Sequence, residues 1–249
     1  RVRSSAASDV YKRQAVDCLV QLASQAAREG PHAPWHRFTR AGALARGGRF
    51  RDAESEYAHL SEIDPTDHFY WYLRTLLLAY LSDDAEYRRA CDGMLDRFCS
   101  GADPLTLVRL LIACSLRPQP PEALERLRQL VDRADSTNLL KPQDPFSEFL
   151  AGMARYRIGQ FERSAELLRR HLARVPQGPA TSRAAAELFL AMAQHGLGNE
   201  ADASAALARA GQLLKTQVPL AGVDDLGPNS FDVEPVSYTH LRAHETGRN

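Results

Sequence analysis

The chain has 249 residues, with 31 basic and 31 acidic side chains, 44% hydrophobic and 25% charged residues. That length buries a substantial core as one large domain or two smaller ones, and the composition is ordinary for a globular protein. Balanced charge argues against an electrostatic nucleic-acid binder, and no apolar run approaches the roughly 20 residues of a membrane span, the longest being 75–81.

In chain order, residues 15–29 place Val16, Leu19, Val20, Leu22, Ala23, Ala26 and Ala27 at helical spacing. They predict the second helix of a truncated hairpin, stopped by Gly30-Pro31. Residues 35–46 predict the next helix, and Gly48 supplies the positive φ that closes it. The following helix carries Phe50, Ala53, Tyr57 and Ile63 along one face and stops at Pro65. Asp64-Pro65-Thr66-Asp67 offers both a stop and a cap. Residues 69–81 are apolar nearly all round, as expected of a helix sandwiched between neighbours, and 84–98 form its partner. Asp83-Asp84 reads as a cap and a first-turn acid.

A third pair, 105–116 and 121–133, is split by a proline-rich turn, with Pro121 suited to a first-turn position and 134–145 read as a polar connection. Residues 146–158, Gly159-Gln160-Phe161 and 162–175 form a fourth pair; 183–197, Gly198 and 200–214 form a fifth. Beyond Lys215 the pattern fades into Gly/Pro/Asp-rich sequence. The four cysteines, Cys18, Cys91, Cys99 and Cys114, form no Cys-x2-Cys pair and lie in apolar helical contexts. They are expected to be buried free thiols of a reducing compartment.

The second helices repeat one another. A small residue recurs at Ala53, Ala90, Ala123, Ser164 and Ala203, spaced 37, 33, 41 and 39 apart. Four residues after each stands a bulky one: Tyr57, Met94, Leu127, Leu168 and Leu207. Small residues let two helices approach closely, and the bulky one a turn later fills the wider gap. The run GRFRDAESEYAHLSEIDP, with its Gly-x-Phe-x2-Ala-x3-Tyr-x7-Pro spacing, resembles the second half of a tetratricopeptide repeat, and the resemblance covers about 35–214. It implies an all-α fold of antiparallel helix-hairpin repeats stacked as a right-handed α-solenoid. Residues 69–98 and 184–210 also look similar to repeat tails of bacterial signalling proteins, where such tails follow serine/threonine kinase domains or propeller repeats.

Both ends resemble translated sequencing adapters: SSAASDVYKRQ at 4–14 and VSYTHLRAHET at 236–246. The domain expectation is therefore an adapter-like extension at 1–14 and a partial upstream repeat helix at 15–30. A repeat domain of about five helix pairs comes next at 31–216, then a loop-rich truncated segment at 217–235 and a second adapter-like extension at 236–249. The native part then carries 25 bases and 29 acids, a net charge near −4, and the true N-terminus is missing. His240, His244 and Glu245 have zinc-like spacing but belong to the adapter.

No catalytic constellation is legible: there is no Gly-x-Ser-x-Gly elbow, phosphate loop, His-Glu-x2-His or kinase motif. His32 and His36 stand at helical spacing, but Pro31 and Pro34 interrupt the segment, so no metal or other cofactor is expected. The resemblance implies a non-catalytic interaction or scaffold module, with a protein or peptide as partner and no small-molecule substrate; the free thiols lead to the expectation of a cytoplasmic location. The alternatives are a structural helical spacer and an all-α enzyme domain. In such arrays the concave face is lined by first helices. Carrying the family's groove positions across selects Trp35, Phe38, Arg46, Tyr72, Phe149, Met153, Tyr156, Arg157 and His195. Phe149, Met153 and Tyr156 follow helical spacing, with the packed core as the competing role for the first two.

Overall fold

The computed structural model describes residues 33–101, 103–141 and 144–217, together with positions 14, 17, 18, 20–22, 24 and 25. The adapter-like ends and the segment after 217 lie outside the described residues, Gln14 excepted. The described positions between 14 and 25 are helical, and the rest of the predicted 15–29 helix lies outside them.

Among the described residues ten complete helices succeed one another: α1 (Ala33–Arg46), α2 (Phe50–Ile63), α3 (His68–Tyr80), α4 (Asp84–Phe98), α5 (Pro104–Ser115), α6 (Pro121–Ser136), α7 (Pro145–Arg157), α8 (Phe161–Arg174), α9 (Ala180–Gly196) and α10 (Glu200–Thr216). There is no strand among the described residues. Each helix predicted between 35 and 214 is present, with ends within three residues of those expected.

The helices begin and end for local reasons. Asp67, Asp103 and Asp144 accept backbone N–H groups at the starts of α3, α5 and α7. Asp83 accepts from the Glu86 N–H, as its expected capping role requires. Prolines occupy the first turns of α5, α6 and α7, where no intrahelical N–H is needed. Four hairpin turns close on a left-handed residue, Gly48 (φ 75°), Ser82 (58°), Gly159 (81°) and Gly198 (76°), while the proline-rich α5–α6 turn has none. At each, the next N–H reaches back to a carbonyl of the closing helix, as from Arg49 to Leu44 at 2.9 Å and from Asn199 to Gln194 at 2.9 Å.

The same device corrects the polar connection expected over 134–145. Helix α6 runs on to Ser136 and closes on Asn138 (φ 52°), with the Leu139 N–H donating to Ala134 at 2.9 Å. Asparagine tolerates this conformation, so the turn sits at Asn138 and not at the last apolar residue.

The described chain divides into two compact units, one ending at Ala90 and the other beginning at Cys91, inside α4. In the first unit α2 lies between α1 and α3. Its buried face is Phe50, Ala53, Tyr57, Leu60 and Ser61. Ile63, expected on that face, is 48% exposed, because helical periodicity carries the stripe from Leu60 to position 64. Helix α3 buries Tyr72, Leu73 and every residue of 75–79.

In the second unit α6 and α8 each touch their own first helix and the next hairpin's first helix. Thus α6 meets α5 and α7, and α8 meets α7 and α9. First helices also meet directly, α5 with α7 and α7 with α9. That ladder is the order of a tetratricopeptide-like array of antiparallel helix hairpins. The small position of α8, Ser164, is fully buried and donates to the Gly152 carbonyl at 2.8 Å. A Cβ on Gly152 would stand 2.7 Å from Leu168 Cγ, so α7 and α8 approach as closely as glycine permits.

Two of the four cysteines depart from expectation. Cys91 and Cys114 are buried, but Cys18 is exposed and Cys99 half-buried. Cys99 stands just past the last residue of α4. The Cys114 thiol is pushed up by its hydrogen bond with Cys91 and by burial.

Candidate interaction groove

The site residues selected from the sequence fall in both units. In the first, Trp35 is 65% exposed and stacks on Phe38 at 5.8 Å. Phe38 in turn meets the Tyr57, Phe69 and Tyr70 rings at about 6 Å, so it joins an aromatic cluster and is only half-exposed. Arg46 is half-buried at the end of α1. Tyr72 is 3% exposed and belongs to the core.

In the second unit, Phe149 and Met153 are 2% and 1% exposed. These two, with Tyr72, are corrections to the groove selection: the face of a first helix that meets the hairpin's own second helix is closed by packing, and the sequence period alone does not separate that face from the open one. Phe149 lies against the His171 ring at 5.2 Å.

Tyr156, Arg157 and His195 do come together. They line a groove of about 500 Å³ formed by the α5–α6 turn, the end of α7, the second half of α9 and the first half of α10. Its floor is apolar, from Leu116, Leu188, Ala191, Met192 and Leu207. Leu207 is 44% exposed, the bulkiest unburied apolar side chain of α10.

Arg157 is held, and its fixing defines one wall. Its Nε and Nη2 donate to the Ser115 and Leu116 carbonyls at 2.6 Å each, capping the end of α5. Its guanidinium carbon lies 5.1 Å from the Tyr156 ring centre and 5.4 Å from that of Phe189. Tyr156 meets Phe189 edge-on at 5.7 Å. At the other rim His195 Nδ1 stands 2.9 Å from Glu200 Oε1, both side chains being largely exposed. The groove thus offers an apolar floor with an arginine-aromatic wall on one side and a histidine–carboxylate rim on the other.

Sequence reasoning missed Leu116, Leu188, Met192 and Leu207. The repeat pointed Leu207 to the core, since it is the fifth bulky member of a series whose other four, Tyr57, Met94, Leu127 and Leu168, are all 0% exposed.

No family model matches the chain, and no curated protein matches it. Among solved structures it is similar to a chain described as "MamA RS-1 ArsTM double mutant", at 15% identity over 79% of this chain and 84% of that one, with a TM-score of 0.36. The array assignment rests on the helix order and burial described above. No helix of the described residues is long and apolar enough to cross a membrane.

Proposed function

We propose that this chain is a non-catalytic interaction module that binds a segment of another protein in the groove between α9, α10 and the end of α7. The observation that supports this reading is the apolar floor centred on the exposed Leu207, bounded by Tyr156, Arg157 and His195. Aromatic residues and arginine beside a buried apolar anchor are the residue types that carry most binding energy at protein interfaces. The volume suits one or two side chains of a peptide.

The sequence likeness to kinase-associated repeat tails supports a larger bacterial signalling protein as the parent, and the flanking genomic sequence tests that part. The binding reading is tested by display selection of peptides against the whole chain. Clones whose binding falls at least tenfold with Leu207→Glu and with Tyr156→Ala are expected. If no clone is recovered, the module is a spacer, holding other domains apart.

A further inference from the structure

Two of the four cysteines meet inside the second unit. Cys91 on α4 and Cys114 on α5 are 0% and 1% exposed, and their thiols are hydrogen-bonded to each other. Cys91 Sγ also stands 3.9 Å from the carbonyl of Ala113, the residue before Cys114. The Gln119 side-chain amide donates to Cys91 Sγ at 3.2 Å and to the Cys114 carbonyl at 3.4 Å, so one group holds both cysteines. Between Cys114 and Gln119 the chain gives Leu116, Arg117 and Pro118 to the groove, and Arg157 caps the Ser115 and Leu116 carbonyls. The pair therefore stands at the root of the groove wall.

Packing alone does not call for a thiol at either place. A buried cysteine fills space as a small hydrophobe, and alanine or valine does the same. What two thiols add, 23 residues apart in the sequence and brought together by two helices, is the capacity to bond.

We propose that Cys91 and Cys114 form a redox site that closes reversibly into a disulfide and locks α4 to α5. The site works whether or not the groove binds a peptide. Hydrogen peroxide is the oxidant. One sulfur attacks a peroxide oxygen, the O–O bond breaks, and a sulfenic acid and one water result. The second sulfur attacks the sulfenic sulfur, the S–S bond forms, and the hydroxyl leaves with the remaining thiol proton as a second water. The two thiols lose two electrons and the peroxide takes both. The Cys114 thiol is pushed up by its bond with Cys91 and by burial, with Asp92 adding to the rise and Arg126 opposing it. Thiolate is scarce there, so the pair answers sustained oxidant and not a brief pulse.

The test uses the whole chain carrying Cys18→Ser and Cys99→Ser, which leaves the buried pair as its only thiols. The folded protein is held in hydrogen peroxide, unfolded in iodoacetamide and mapped by mass spectrometry without reductant. A linked pair of peptides containing Cys91 and Cys114, two hydrogens lighter than their sum, is expected in a protein that stays monomeric. Dithiothreitol is expected to restore both thiols. Oxidation should raise the thermal midpoint, and dithiothreitol should bring it back, because the bond constrains the unfolded chain. Cys114→Ala in the same background should show neither the link nor the reversible shift. Should that variant fail to fold, the mapping of the unsubstituted pair still decides. Recovery of both cysteines alkylated, or linked only between chains, overturns the site. A link that lowers the midpoint overturns the lock.

Discussion

Single residues fix the turns of this molecule by their backbone preferences. Ser82 sits at φ 58°, at the position where three other hairpins have Gly48, Gly159 and Gly198. An L-residue with a Cβ is strained there by about 1 kcal/mol. Ser82→Gly is therefore expected to raise stability by about 0.5–1 kcal/mol. Gly159→Ala, with open space around the added methyl, should lower it by about 1 kcal/mol through the backbone alone. Urea midpoints of the two variants check both signs. His171 is a second residue-scale case. Burial, opposed by the bond to the Pro145 carbonyl and by the Glu148 charge, holds its pKa below the ordinary 6.5. The unfolded chain then binds the proton more readily than the folded one. Its contribution is complete above that ordinary value and is lost as pH falls below it. Parent protein should lose stability between about pH 7 and pH 5 by more than His171→Gln does, read from denaturation midpoints at the two pH values. Glu148, buried and ion-paired with Arg174 at 3.1 Å, faces the same site.

At the scale of the element, helices are joined by close approaches and by caps lent from neighbours. The α7–α8 contact relies on the missing side chain of Gly152. Gly152→Ala puts a methyl 2.7 Å from Leu168 Cγ, which is fully buried and has little room to yield. The gain in helix propensity, about 1 kcal/mol, opposes an overpacking cost of about 1–3 kcal/mol, so a net loss is expected from thermal unfolding. Arg157 shows the second device. It ends α7 yet satisfies the last carbonyls of α5, two helices earlier in the chain. Arg157→Ala is expected to destabilise by about 1–3 kcal/mol, as hydrogen bonds from a charged donor usually do. Arg157→Lys should recover only part of this, because an ammonium does not reproduce two fixed parallel donors. The residue selected as a ligand contact thus acts first as a brace for the groove wall.

At the scale of the whole molecule, one register gives opposite consequences depending on whether another helix is stacked against it. Leu168 and Leu207 occupy the same place in successive hairpins, and only Leu168 is covered. Leu168→Ala should cost about 2–5 kcal/mol, as core leucine truncations do. Leu207→Ala should stay within about 0.5 kcal/mol, as exposed substitutions do. Equal losses in chemical denaturation would mean that the two sites are buried alike and that no slot stands open. An array propagates its core by stacking, so its last described unit carries the same apolar residues with no described element laid on them. That surplus is the basis of the groove.

The order and type of elements were legible in the residues, because apolar spacing, Asp caps, glycine turns and proline stops are local properties of the chain. So was the small-then-bulky register: Ala53, Ala90, Ala123 and Ser164 are all at most 2% exposed. Which first-helix residues face outward was not legible. Phe149, Met153 and Tyr156 share one helical spacing, yet packing buries the first two and leaves the third on a groove. Helical period repeats every turn, whereas coverage depends on which neighbour arrives, and that is decided only when distant segments meet. The exposure of Leu207, the bracing by Arg157 and the placing of the His195–Glu200 rim beside them are therefore facts of tertiary structure. They arise from contacts between residues far apart in the sequence.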